Sequence, residues 1–173
     1  MAEIEKRFNS NNKNTLEYIV GRLLTQQGTT LAVAESCTGG LISHSLTNVP
    51  GSSNYFLFAA VTYSNSSKIN ILGVSQDTIE KYGAVHPITA KEMAEGARKI
   101  SGATYGLATS GIAGPTGGTK EKPVGTLCLG LATPEGANGM KLNFSDHDRK
   151  ALKEVFAKAA LDQLRLKLLY TLH

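Results

Sequence analysis

The chain predicts a three-layer α/β/α sandwich around a mixed, mostly parallel sheet of about five strands. Apolar, β-rich runs alternate with segments of helical period along its length. The first three runs are separated by helices, so right-handed crossovers make those strands parallel. The fourth follows a glycine-rich stretch without helical period and is free to run antiparallel.

Each element follows from local chemistry. Asn14-Thr15-Leu16-Glu17 reads as a capping pattern opening a helix to about Gln27, with Leu16, Ile19, Val20, Leu23 and Leu24 on one face. Thr30–Ala34 is the first strand, and a helix from about Gly40 to Thr47 follows a short turn. Asn48-Val49-Pro50-Gly51-Ser52-Ser53 is a turn. The second strand, Tyr55–Tyr63, is apolar on both faces and is expected at the sheet's centre. Short helices over about Ser66–Leu72 and Asp77–Tyr82 come next. Thr89-Ala90-Lys91-Glu92 reads as a capping box for a helix reaching about Ser101, and His86 as the end of a turn. Ala103–Thr109 is the third strand, and Val124–Ala132 with Asn138–Phe144 form a hairpin. A long helix from Asp148 to about Thr171 closes the chain. Its buried stripe is Leu152, Val155, Phe156, Ala159, Ala160, Leu164 and Leu168, with Lys153, Lys158, Asp162 and Arg165 outside.

Composition narrows the function. The 173 residues suit one domain, here residues 14–173, behind a flexible polar lead-in at 1–13. No run approaches the roughly 20 apolar residues of a membrane span. The polar N-terminus has no signal core, so a cytoplasmic location is expected. Cys37 and Cys128 lie in unrelated segments, as in a reduced intracellular protein. A formal charge of +4, with lysines scattered and no interleaved aromatics, argues for a small anionic ligand over nucleic acid as partner.

Three turns carry the chemistry, and parallel topology brings them to one sheet edge. In Ala34-Glu35-Ser36-Cys37-Thr38-Gly39-Gly40 a strand ends in a hydroxyl, a thiol, a second hydroxyl and two glycines. Ser36 then faces N–H groups at a helix start, where an oxyanion can be held; equally, Ser36 or Thr38 can simply cap that helix. Cys37 is a rival nucleophile without a histidine partner. Tyr63-Ser64-Asn65-Ser66-Ser67-Lys68 supplies an amine and a phenol. A desolvated Lys68 can serve as base to Ser36, with Tyr63 relaying the proton or hydrogen-bonding the amine. Otherwise Lys68 is a solvated helix lysine and Tyr63 a strand-end core residue. The run from Ser110 to Thr119 resembles a ligand cradle in its exposed amides, or serves only as a long connection. Lys120 and Lys122 add charge nearby or are simply solvated. Asp146-His147-Asp148 lacks a partner cluster, so no metal is expected; Asp148 reads as a helix cap and Arg149 as a phosphate contact.

The strings AESCTGG, VPGSSNYF, TYSNSSKINILGV, IEKYGAV and SGIAGPTGGTKEKPVGT, with the terminal helix, resemble the CinA C-terminal domain family from Thr15 to about Leu166. The resemblance implies a three-layer fold, self-association and nicotinamide-nucleotide amidase activity. In that reaction the carboxamide of nicotinamide mononucleotide is hydrolysed to nicotinate mononucleotide and ammonia, without metal or organic cofactor. It implies Ser36 as nucleophile, Lys68 as base and Tyr63 alongside. Substrate contacts are expected from Thr38, Gly39, Gly40, Ser110, Gly111, Gly114, Gly117, Gly118 and Arg149. A silent relative that binds a phosphorylated ligand, or the same mechanism on another amide, are the alternative readings. Three departures stand out: Asp146-His147-Asp148-Arg149 replaces the family's usual Gly-Asp-Arg, His86 replaces a serine, and Ser66-Ser67 replaces Glu-Ala. Some relatives carry this domain behind a metal-dependent pyrophosphatase-like domain, which is not expected in these residues.

Overall fold

A computed structural model describes residues 15–145 and 148–171. The predicted lead-in at 1–13, and the Asp146-His147 pair, lie outside the described residues. The elements run α1 (Leu16–Gln27), β1 (Leu31–Glu35), α2 (Leu41–Thr47), β2 (Phe56–Val61), α3 (Asn65–Leu72), α4 (Gln76–Tyr82) and α5 (Pro87–Ser101). Then come β3 (Tyr105–Gly111), β4 (Thr126–Thr133), β5 (Gly136–Asn143) and α6 (Arg149–Tyr170). The five strands form one sheet in the order β2-β1-β3-β4-β5. β1 pairs parallel with β2 and β3, and β4 pairs antiparallel with β3 and β5. This is the predicted mixed α/β sandwich.

Alternation along β1 divides the core. Leu31 and Val33 point into a large cluster with Val20 and Leu24 of α1 and Leu152 and Phe156 of α6. Ala32 and Ala34 point the other way, toward Met93, Ala94 and Ala97 of α5. The small side chains on that face have a steric reason. A Cβ on Gly106 would strike Ala94 O, and one on Gly130 would strike Ala90 O. Backbone therefore meets backbone where α5 crosses the sheet. Emptying the opposite face at the fully buried Phe156 would cost about 3–5 kcal/mol.

Several expectations need correction. β2 is an edge strand, not a central one: its residues alternate between half-buried and exposed, and Leu57 and Val61 are 48% and 51% exposed. Apolar content on both faces misled because one of those faces is uncovered. α5 starts at Pro87, before the expected capping box. His86 is its N-cap, with Nδ1 accepting from Ile88 N at 3.2 Å. Thr89 Oγ1 donates instead to Gly83 O at 2.8 Å, and the Glu92 carboxylate holds Ser75 N and Thr78 Oγ1. Thr15 sits at the N-cap of α1 but makes no side-chain cap bond. On α6 the buried stripe runs through Ala157 and Leu161, whereas Val155 and Ala159 are only partly buried. Asp148 caps α6 as expected, its Oδ1 accepting from Ala151 N at 2.8 Å. No described helix is long and apolar enough to cross a membrane.

Candidate active site

The carboxyl ends of β1, β2 and β3 are stitched together by hydrogen bonds at one edge. Thr62 N donates to Glu35 O at 2.8 Å, and Ser36 N to Thr109 O at 3.0 Å. The hydroxyls of Thr38 and Thr109 lie 2.8 Å apart. Ser110 Oγ donates to Ala84 O at 2.7 Å, fastening the turn before α5 to the same edge. A cavity of about 200 Å³ opens there. Ser36, Lys68, Tyr63, Ser110, Gly111 and Arg149 all line it.

Lys68 is the central feature. It lies one turn inside α3, which Ser64 caps by accepting Ser67 N at 3.0 Å. Its side chain is 1% exposed and folds back beneath the end of β2. Nζ stands 3.2 Å from Ser36 Oγ and donates to Thr62 O at 2.8 Å and Tyr63 O at 3.4 Å. No carboxylate pairs with it among the described residues. Burial pulls its ammonium below the ordinary lysine value, and the Cys37 thiol opposes this weakly. A neutral amine has two N–H donors and one lone pair. In that form the two donors would stay on the carbonyls and the lone pair would face the Ser36 hydroxyl; as placed, Nζ is the donor toward Ser36 Oγ.

The turn bearing Ser36 is held by Glu35, a residue the sequence reading passed over. Its carboxylate is fully buried. Oε2 accepts from Thr38 Oγ1 at 2.6 Å, Gly40 N at 2.9 Å and Ile42 N at 3.2 Å. Oε1 accepts from Ser43 N at 2.9 Å and Ser43 Oγ at 2.6 Å. Glu35 therefore occupies the N-terminus of α2, and neither Ser36 nor Thr38 caps that helix. The amides of Gly40, held by Glu35, and Gly39, which donates to Ser36 O at 3.1 Å, are already committed. They cannot be the oxyanion donors expected from sequence. An acid closing an apolar strand just before Gly-Gly was the signal available for Glu35.

Other expected residues are placed differently. The Tyr63 phenol, 62% exposed, accepts from Arg149 Nη2 at 3.1 Å; only its backbone carbonyl meets Lys68. Arg149 Nη1 donates to Gly114 O at 2.6 Å, so the guanidinium ties α6 to the glycine-rich loop. Thr38, Gly39, Gly40, Gly114, Gly117 and Gly118 do not line the cavity. The loop glycines answer to packing: a Cβ on Gly114 would lie 2.6 Å from Val124 Cγ1, and one on Gly118 2.8 Å from Val124 N. Gly111 does serve the cavity wall, since a Cβ there would lie 2.5 Å from Thr126 O and 3.1 Å from Cys37 Sγ. Cys37 lines the cavity, but burial pushes its thiol up to about 12, so little thiolate exists near neutrality. Lys122 reaches away to Tyr82 O at 2.8 Å. Ala113, inside the run expected to cradle a ligand, and Ala84 and Val85, which were not foreseen, complete the lining. Among the described residues no three His, Cys, Asp or Glu side chains converge as metal ligands.

An open α/β sheet with a buried serine–lysine pair at the carboxyl edge of its parallel strands defines the class of protein. The comparisons with known proteins agree with one family in that class. The chain belongs to the CinA C-terminal domain family, whose model matches residues 13–168. It is 60% identical over 154 residues to a CinA-like protein of Desulfosudis oleivorans and 54% identical over 155 residues to one of Desulforapulum autotrophicum. Those alignments cover 89% and 90% of this chain but 37% of each relative. The chain thus spans little more than a third of their length. Among solved structures, the competence/damage inducible protein CihA of Agrobacterium tumefaciens superposes with a TM-score of 0.82 at 38% identity. That match covers 88% of this chain and 94% of the other. A CinA superfamily protein of Klebsiella pneumoniae gives 0.85 at 30% identity, covering 90% and 96%.

Proposed function

We propose that this domain is an amidohydrolase that converts nicotinamide mononucleotide to nicotinate mononucleotide and ammonia through a serine acyl-enzyme. The observation that carries the reading is Lys68 Nζ, buried, without a carboxylate partner among the described residues and 3.2 Å from Ser36 Oγ. Ser36 Oγ attacks the carboxamide carbon while its proton passes to the Lys68 lone pair. The cationic pyridinium ring withdraws electrons from that carbon and eases the attack. The amide of Cys37, the cavity-lining residue next along the turn, holds the oxyanion. Lys68 returns the proton to the leaving nitrogen, the C–N bond breaks, and ammonia departs. Water, deprotonated by Lys68, then cleaves the acyl ester and restores Ser36. Every step moves a proton between Lys68, Ser36, substrate and water, so none calls for a metal or organic cofactor.

The test incubates purified protein with nicotinamide mononucleotide and follows ammonia and nicotinate mononucleotide, followed by peptide mapping of the acid-quenched protein. A nicotinoyl adduct on Ser36, with turnover lost in Ser36→Ala, supports the reading. Turnover that persists in Ser36→Ala overturns it. Self-association is proposed through the β2 edge, where Leu57 and Val61 are half exposed. Light scattering of the wild type and of Leu57→Lys checks it: a wild-type oligomer that the substitution dissociates supports this edge.

A further inference from the structure

The cavity at the carboxyl edge has an unbalanced charge. Among the described residues its titratable lining is Cys37, Tyr63, Lys68 and Arg149, without an aspartate or glutamate. Glu35 begins the same turn but spends both carboxylate oxygens on α2 and Thr38. On α5, which packs against α3, Glu92 is held by Ser75 N and Thr78 Oγ1, and Glu95 stands 3.9 Å from Lys91. Arg149 is engaged at Gly114 O and Tyr63 Oη.

An ammonium on Lys68 has three N–H donors. Two meet Thr62 O and Tyr63 O, and the third points to Ser36 Oγ, a hydroxyl on the cavity wall. A buried ammonium with only neutral acceptors is costly, and burial accordingly lowers its basicity, opposed weakly by the Cys37 thiol. An anion brought to the third donor removes that cost, because an opposite charge within about 4–6 Å favours the charged form. A carboxamide brings no charge to that position. A carboxylate brings the missing counter-ion and accepts from the ammonium and the Ser36 hydroxyl together. Size agrees with a single ring: a cavity of roughly 150 Å³ holds benzene, and this one measures about 200 Å³.

We infer that the cavity is also a receptor for aromatic carboxylates, the product class of the proposed reaction, and that their binding on the Lys68 ammonium switches the serine–lysine pair off. Neutral Lys68, the carboxylate and one proton from solvent combine into an ammonium–carboxylate pair. The ammonium then has no lone pair to take the Ser36 proton, so the acid product inhibits. The inhibitory role rests on the amidase reading, whereas the binding does not.

Titration calorimetry compares nicotinate mononucleotide with nicotinamide mononucleotide on Ser36→Ala, which does not consume the amide. Nicotinate mononucleotide is also titrated into wild type and Lys68→Arg. The two ligands differ at the carboxyl group, so contacts and titration of the phosphate are common to both. Buffers of different ionisation enthalpy, across the neutral and mildly alkaline range, count the protons taken up. Where Lys68 is protonated before binding, the carboxylate should bind about tenfold tighter than the amide. Where Lys68 is neutral before binding, uptake should approach one proton for the carboxylate, with Kd rising about tenfold per pH unit. The amide should show neither effect. Lys68→Arg, whose guanidinium stays charged, should bind the carboxylate without proton uptake and with a Kd that pH does not move. Should that variant not fold, the wild-type proton count decides alone. Equal Kd values for the two ligands, no proton uptake by wild type, or no binding of the carboxylate overturns the inference. Ammonia release with a carboxylate that binds without proton uptake spares the amidase reading and removes this one. Proton-linked binding in a wild type that never hydrolyses the amide does the reverse.

Discussion

Replacing Glu35 by glutamine tests what holds the nucleophile turn in place. The carboxylate accepts three donors on Oε2 and two on Oε1. Glutamine keeps one acceptor oxygen, and its better orientation puts that oxygen at the Oε2 position. The amide nitrogen then faces Ser43, whose hydroxyl can rotate and accept. Ser43 N cannot, so one buried N–H loses its partner, costing about 1–3 kcal/mol. The three bonds that remain now end on a neutral oxygen, each weaker by roughly 1 kcal/mol. Relief from burying a charge offsets part of this, leaving a net loss of about 3 kcal/mol. For a domain of this size that lowers Tm by roughly 6–12 °C. Thermal and urea unfolding followed by circular dichroism give the number. A Tm within 2 °C of wild type would refute the reasoning, because the donors would then not depend on the charge.

Cys37→Ala should keep turnover within about threefold, because a thiol pushed up to about 12 offers little nucleophile; a loss of more than roughly tenfold in that variant, measured by ammonia release, would contradict this. Tyr63→Phe should raise KM several-fold with kcat held, since the phenol contacts Arg149 and not the amine; steady-state kinetics separate the two constants. Lys68→Met should alter the pH dependence of stability. With its folded value lowered, Lys68 binds fewer protons in the folded chain than in the unfolded one between that value and the ordinary lysine value. Wild-type stability therefore falls relative to Lys68→Met as pH drops through that window. Urea titrations at several pH values show the divergence, and parallel curves would exclude a buried amine of lowered basicity.

The fold was legible because its signals are local and redundant: helical period, parallel strands linked by helices, and a hairpin after a glycine-rich loop. The position of β2 was not legible. Leu57 and Val61 look like core residues in sequence, and only the sheet order reveals that their face is uncovered. The start of α5 was misplaced because Pro87 at the first helical turn and a histidine cap outweighed a nominal capping box. At the site, hydroxyl and amine were readable because β1 and β2 end beside each other in register. The role of Glu35 was hidden, since acceptance by α2 amides and by Thr38 depends on how the turn folds back. Two of the loop glycines, Gly114 and Gly118, make room for Val124, a packing reason that their spacing in sequence does not reveal. Lys153 was assigned to solvent by helical period, yet it is half-buried, with Nζ 3.3 Å from the point a Cβ would occupy on Gly39.

The pH profile of kcat/KM for nicotinamide mononucleotide hydrolysis, measured for wild type and Lys68→Arg, bears most directly on proton transfer from Ser36 to Lys68. The account predicts a wild-type rate that climbs with pH to a plateau reached below the ordinary lysine range. In Lys68→Arg, whose guanidinium stays protonated, turnover should fall by roughly 10²–10⁴ at every pH. A wild-type profile without that rise, or an arginine variant within tenfold of it, would contradict the account.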